Sequence, residues 1–292
     1  MKISYFASCT LIILIWAGSF IFIRVGLKDF PPITLALLRF ASASPFLLAF
    51  SLFNRNEKIF SLKAKFIELN ILALTGVSLL YIFQFYSLKF ISAAAGSIII
   101  NSTVIFMALL SALFLKEKLN KRKVSGILIA FAGVSILVSN GGEALNFSSN
   151  QFLGGVLMLG AALCWAIYSV LSKKVLQFNS SLTVTTATFG LGTLHLLPAA
   201  FILENPVKAV FESSKTGWLS VFYLAFLSSA LAYFLWNKIL VKVEVAKVGA
   251  TLYAIPVPTM IFGYIFLNEA ITKITLIGAL LVIFGVYLTE SA

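Results

Sequence analysis

Long apolar runs separated by short polar interruptions organise this chain. The runs fall at 5–26, 32–54, 66–88, 91–115, 124–140, 151–172, 182–203, 216–238, 245–268 and 272–290. Most reach about 20 residues, the length an α-helix needs to cross a hydrocarbon core of about 30 Å. The fifth and tenth are shorter. Lipid cannot satisfy open backbone groups, so each run predicts a helix. The alternating segments of about ten residues that a membrane barrel requires do not occur. The pattern therefore predicts an all-α integral membrane protein with ten transmembrane helices. The first run follows Lys2, is longer than a signal-peptide core and lacks a clear small-x-small cleavage site, so it reads as an uncleaved span.

Composition supports that picture. Hydrophobic residues make up 60% of the 292 and charged residues only 11%, against about 25% in a soluble domain. The formal net charge of +12 would suggest a nucleic-acid partner, but the positions of the charges exclude one. They cluster between apolar runs, as in Arg55, Lys58, Lys63 and Lys65, and again in Lys116, Lys118, Lys121, Arg122 and Lys123. With the N-terminus inside, Lys2, those clusters and Lys173, Lys174, Lys238, Lys242 and Lys247 share the cytoplasmic side, while Arg24, Lys28, Lys89, Lys208, Lys215 and Lys273 lie thinly on the other. This bias predicts a multi-pass protein of the cell membrane with both termini cytoplasmic. Cys9 and Cys164 lie inside apolar runs, with no spacing that suggests zinc or a redox pair. No metal or cofactor is expected.

The chain also repeats itself. Glu117, Lys121, Gly126, Leu128, Gly133 and Val134 match Glu269, Lys273, Gly278, Leu280, Gly285 and Val286 at one constant offset. Trp16 and Arg24 pair with Trp165 and Lys173 at a slightly smaller one. Spans one to five thus correspond to spans six to ten. Five is odd, so the two halves must face opposite ways. Inverted repeats with a binding site at their interface are a recurrent transporter architecture.

The stretch from Trp16 to Gly26, Phe30-Pro31-Pro32 and Leu37-Leu38-Arg39-Phe40 resemble the opening of the EamA proteins, within the drug/metabolite transporter superfamily. Glu117, Gly126 and Gly133 resemble the end of an EamA repeat, as do Glu269, Gly278 and Gly285. The resemblance covers nearly the whole chain as two units, 1–142 and 143–292. It implies ten helices in an inverted repeat, a central cavity between the halves, and export of amino acids or related metabolites. Other members carry nucleotide sugars, S-adenosylmethionine, choline or drugs. The seventh span departs from the pattern: it has no counterpart of Arg39 and carries Thr183, Thr185, Thr186, Thr188 and His195 instead.

Several residues are candidates for solute contact. Arg39 is the one charge well inside a span, where insertion costs several kcal/mol, so it must face protein or water. Its donor fork suits a substrate carboxylate or phosphate; a structural bond to backbone carbonyls is the competing reading. Ser97 and Asn101 share a helical face in the fourth span, as solute contacts or as helix–helix hydrogen bonds. Tyr81, Gln84 and Phe85 form a stripe in the third span, Trp165 and Tyr168 in the sixth, and Trp16 lies mid-span in the first. With Tyr253 they suit the wall of a cavity for a partly apolar solute. Tyr233, Trp236 and Asn237 near a span end read as interface anchors. Pro45, Pro256 and Pro258 are candidate hinges, since proline frees carbonyls and kinks helices. His195 reads as structural, with no mid-membrane carboxylate to relay a proton to it.

The expected partners are a small-molecule solute and the lipid bilayer, with a homodimer left open. The expected function is export of amino acids by alternating access, with a nucleotide-like metabolite or a drug as the alternative cargo. An intramembrane lipid-modifying enzyme is the rival class. The chain has no HExxH zinc motif, and its carboxylates lie in loops or near span ends.

Overall fold

The computed structural model describes residues 2–53, 62–87, 90, 99–139, 149–267 and 273–291. Among them every regular element is helical, with no strand. The helices are α1 (Lys2–Gly26), α2 (Pro32–Phe53), α3 (Phe66–Ser87), α4 (Thr103–Leu115), α5 (Lys121–Ser139), α6 (Ser149–Val175), α7 (Ser181–Leu203), α8 (Pro206–Glu212), α9 (Lys215–Leu240), α10 (Val245–Thr251), α11 (Pro256–Leu267) and α12 (Lys273–Glu290). Six of them, α1, α2, α3, α6, α7 and α9, are long and apolar enough to cross a membrane. Shorter apolar segments lie in α4 and α12. Phe53, Phe114, Phe211 and Leu280 are all exposed. A belt of exposed large apolar side chains is a surface made for lipid, and the chain is a multi-pass membrane protein.

Local chemistry sets the helix ends. Ser180 Oγ accepts the Thr183 amide at 3.1 Å to start α7. The first turn of α2 is capped from a distance: the Glu204 carboxylate, just past the end of α7, accepts the amides of Ile33 (3.0 Å) and Thr34 (2.7 Å). A carboxylate there meets the positive end of the helix dipole. The short α8 was not expected. Asn205 accepts the Lys208 amide at 3.1 Å, and Pro206 occupies the first helical position, a pairing that starts a helix even in a connection.

Helix packing brings like elements of the two repeats together. α2 lies along α7, and α5 along α12. α5 and α12 run in opposite directions at backbone contact. A Cβ on Gly126 would lie 2.7 Å from the Gly285 carbonyl oxygen, and one on Gly133 would lie 2.9 Å from that of Gly278. The register that matches Gly126 with Gly278 and Gly133 with Gly285 makes this contact self-complementary, as across a two-fold axis. Only residues without a Cβ let two backbones approach so closely. The remaining contacts follow the same symmetry: α1 packs on α9 as α3 packs on α6.

Four helix irregularities obey it as well. α3 widens into a π-helical segment at Leu74–Ser78, and α9 does so at Tyr223–Leu231. The register that pairs Trp16 with Trp165 also pairs Leu74 with Tyr223. The fourth span was expected to be continuous through Asn101. Instead Asn101 and Ser102 form a turn before α4, with the Ser102 amide reaching back only to Ile99 (3.0 Å). Short polar side chains compete for backbone groups and weaken a helix here. The ninth span breaks at the matching place: Leu252–Ala254 is a single 3-10 turn, and the Ile255 amide reaches Leu252 (3.0 Å). Pro256 then opens α11 at a first-turn position that needs no N–H. The prolines of this span follow the break. Pro45 is exposed within an uninterrupted α2.

Candidate functional site

The polar and aromatic side chains converge where the repeats meet. Trp16 on α1 and Trp165 on α6 stand edge to face, with ring centroids 5.6 Å apart. Trp236 lies 5.5 Å from Trp16 and 5.6 Å from Trp165, and Tyr233 lies 5.1 Å from Trp165. Tyr168 stacks on Trp165 at 5.1 Å and also lies against Gly76, where a Cβ would collide with the ring. The Tyr233 hydroxyl donates to the Gly76 carbonyl at 2.8 Å and sits 3.2 Å from the Tyr81 hydroxyl. Phe40 and Phe189 close the cluster from α2 and α7, 4.9 Å apart.

Arg39 approaches the cluster from α2 and is buried. Its Nε donates to Ser229 Oγ, and its Nη2 to the carbonyl (3.3 Å) and Oγ (3.2 Å) of Ser228. Both serines belong to the π-helical segment of α9. The guanidinium carbon stands 4.6 Å over the Tyr81 ring and 5.2 Å over Phe40, close enough for cation–π attraction. Trp16 Nε1 donates to the same Ser228 carbonyl at 3.1 Å.

A polar ladder continues from the rings. Asn237 donates to Tyr168 Oη and Thr185 Oγ1, both at 2.9 Å, and accepts from Ser172 Oγ at 2.8 Å. One helical turn further, ion pairs join the repeats. Lys173 Nζ donates to the Glu117 carboxylate at 2.8 Å and to the Val243 carbonyl at 2.7 Å. Glu117 also accepts the amides of Val245 (3.0 Å) and Ala246 (3.4 Å). Lys123, buried, pairs with Glu244 and donates to the Lys118 carbonyl at 3.0 Å. Burial alone would raise the Glu117 carboxyl. The Lys173 and Val245 hydrogen bonds, the charge of Lys173 and the Ala246 amide overcome it, and the group is held below its ordinary value.

Of the residues expected from sequence, Trp16, Arg39, Tyr81, Trp165 and Tyr168 come together, with Phe85 joined through Tyr81 at 5.5 Å. Gln84 is half-buried on the same helix. Asn101 sits in the turn before α4 and Tyr253 in the matching break, where it packs on Phe131 at 6.4 Å. Ser97 lies outside the described residues, as does the segment holding Glu269. His195 Nε2 meets Asn70 Oδ1 at 3.2 Å, a local bond between α7 and α3. Tyr233, Trp236 and Asn237 do not anchor an interface. All three are fully buried at the centre of the site. Their spacing in the sequence gave the signal: Tyr233, Trp236 and Asn237 fall three and four apart, on one face of α9.

The arrangement is a seam between two alike halves, ringed by aromatic walls, hydroxyls and the buried guanidinium of Arg39. It has no grouping of His, Cys, Asp or Glu able to hold a metal among the described residues. Comparison with known proteins agrees with this architecture. The model of the EamA-like transporter family matches residues 5–139 and again 152–291. The chain belongs to that family and is a membrane transporter of this type. It is 40% identical over 283 residues to an "uncharacterized transporter" of Archaeoglobus fulgidus, covering 96% of this chain and 95% of that one. It is 27% identical to a "probable amino-acid metabolite efflux pump" of Escherichia coli, covering 95% and 92%. It is likewise 27% identical to a "probable terminal-alkyne amino-acid exporter" of Streptantibioticus cattleyicolor, covering 95% and 90%. A solved crystal structure at 20% identity superposes with a TM-score of 0.84 over 99% of this chain and 96% of that one, and shares the fold.

Proposed function

We propose that this transporter exports amino acids by alternating access, with ten spans arranged as two oppositely oriented halves, 1–142 and 143–292, and both termini cytoplasmic. Solute binds at the seam between the halves, and rocking of one half against the other exposes it first to one side and then to the other. The observation that carries the reading is the meeting of Trp16 and Trp165, matching residues of the two repeats, at the centre of the seam. A site on the symmetry axis of two alike halves is presented equally well to either side. The antiparallel glycine contact of α5 with α12 supports the opposed orientation. With the N-terminus inside, the Glu117–Lys173 and Lys123–Glu244 pairs close the cytoplasmic end. The relatives named as amino-acid exporters support the cargo.

The test is flux. Purified protein is reconstituted into liposomes loaded with radiolabelled amino acids, and efflux is timed against empty vesicles. Saturable efflux that falls in Trp165→Ala is the expected result. Exchange of a nucleotide-like metabolite with no amino-acid flux would overturn the cargo and leave transport standing.

A further inference from the structure

We infer that Arg39 is the anion-binding residue of this seam, and that the carboxylate of the transported solute is the counter-ion it lacks; the inference rests on the amino-acid reading above. Arg39 is only 2% exposed, yet no carboxylate pairs with it among the described residues. The carboxylates near the seam are committed elsewhere: Glu204 caps α2, Glu117 holds Lys173, Glu244 holds Lys123, and Glu68 faces Lys174. What holds the guanidinium is neutral: two serine hydroxyls, one carbonyl and two ring faces. These contacts satisfy geometry and leave the charge uncompensated, and an uncompensated buried charge is strongly unfavourable.

The neighbourhood is also short of acceptors. The Ser228 carbonyl is shared by Arg39 Nη2 and Trp16 Nε1. Trp236 Nε1, in a ring 5.5 Å from that of Trp16, is buried with no acceptor. An amine or a neutral apolar solute brings no negative charge to such a site. A carboxylate brings the charge and about four lone-pair sites, and it matches the flat fork of arginine. Ser228 and Ser229 lie in a π-helical turn, a feature frequent at functional sites. They hold the guanidinium in the form of the site described here and give it up to the carboxylate.

The experiment is counterflow of radiolabelled L-leucine into proteoliposomes preloaded with unlabelled L-leucine, with L-leucinamide, which lacks the carboxylate, as competitor. The unaltered protein should prefer the acid over the amide by about tenfold to a hundredfold, the worth of a charged hydrogen bond. Arg39→Gln should raise KM by a similar factor and bring acid and amide level, with Arg39→Lys in between. Ser229→Ala removes an anchor and leaves the arginine, so it should lower KM for leucine. Equal competition by acid and amide in the unaltered protein would overturn the inference and leave amino-acid transport standing. So would undiminished discrimination in a folded Arg39→Gln. If Arg39→Gln does not fold, a raised or unchanged KM in Ser229→Ala overturns it and identifies Arg39 as a structural staple. Absence of flux for leucine and for every other amino acid would overturn the amino-acid reading and this inference with it.

Discussion

The two repeats meet in two places built from opposite materials. Along α5 and α12 the contact is backbone on backbone, through Gly126, Gly133, Gly278 and Gly285, with a side-chain hydrogen bond from Arg122 to Ser291 (2.9 Å) at one end. Around Trp16 and Trp165 the contact is ring on ring, with hydroxyls, amides and a guanidinium between. Glycine seams are tight and short-ranged, so they fix one separation. Rings and hydroxyls can exchange partners at lower cost, because each contact has a substitute within reach. The first seam is a joint that holds the halves in register. The second is the one to which the proposed function assigns the solute.

Substitutions can break or sharpen this contrast. The largest effect is expected at the joint. Gly285→Leu drives side-chain atoms into the backbone of Ala130, where even a Cβ would lie 2.5 Å from the amide nitrogen. A cost on the order of 3 kcal/mol or more follows from overpacking, and detergent-solubilised protein should lose its monodisperse peak on size exclusion. Glu117→Gln comes next. Losing charged hydrogen bonds to Lys173 and two amides should cost about 2 kcal/mol, seen as a lower Tm. Its pH dependence has a definite sign. The unfolded Glu117 titrates near about 4.3 and the folded one lower, so the folded state releases its proton first as pH rises. The stabilisation is complete above the unfolded value and is lost as pH falls through the folded one. Melting curves of Glu117→Gln should lack that acid-side component.

The exchangeable seam should answer differently. Tyr233→Phe removes the bond to the Gly76 carbonyl and the contact with the Tyr81 hydroxyl. It should cost about 1 kcal/mol of stability, yet change L-leucine counterflow severalfold. A large loss of stability with unaltered flux would erase the distinction between the seams. The smallest effect is expected at Pro45→Ala. Pro45 is exposed on a continuous helix, so stability should move by less than about 0.5 kcal/mol and flux not at all. A clear change in flux would restore Pro45 as a hinge.

Much of this organisation is legible in the sequence, because lipid leaves few choices. Long apolar runs have to be helices, and the matched glycines and glutamates give the repeat. Arg39, Trp16 and Trp165 stand out as polar or bulky groups at mid-span, where each needs a protein partner. The centre of the site was harder to read. Tyr233, Trp236 and Asn237 fall near the end of an apolar run, where aromatics usually mark the lipid interface, and only packing against α1 and α6 reveals them as core. Lys123 looks like one more loop cation until Glu244 is brought against it from the other repeat. The break before α4 hides behind an unremarkable Asn-Ser pair. In the ninth span the prolines drew attention to the right stretch, but the break precedes them. A π-helical turn has no compositional signature, so neither of the two could be foreseen.

Those two turns carry a consequence for ancestry. A π turn closes its hydrogen bond across five residues instead of four, which in an otherwise α-helical span amounts to an insertion. α3 and α9 bear it at matched places, beginning at Leu74 and Tyr223. Two independent insertions at one position of a helix would be a coincidence. The economical history is a single event in a half-length forebear, copied when the gene doubled, so the irregularity is older than the pairing of the halves in which it now takes part.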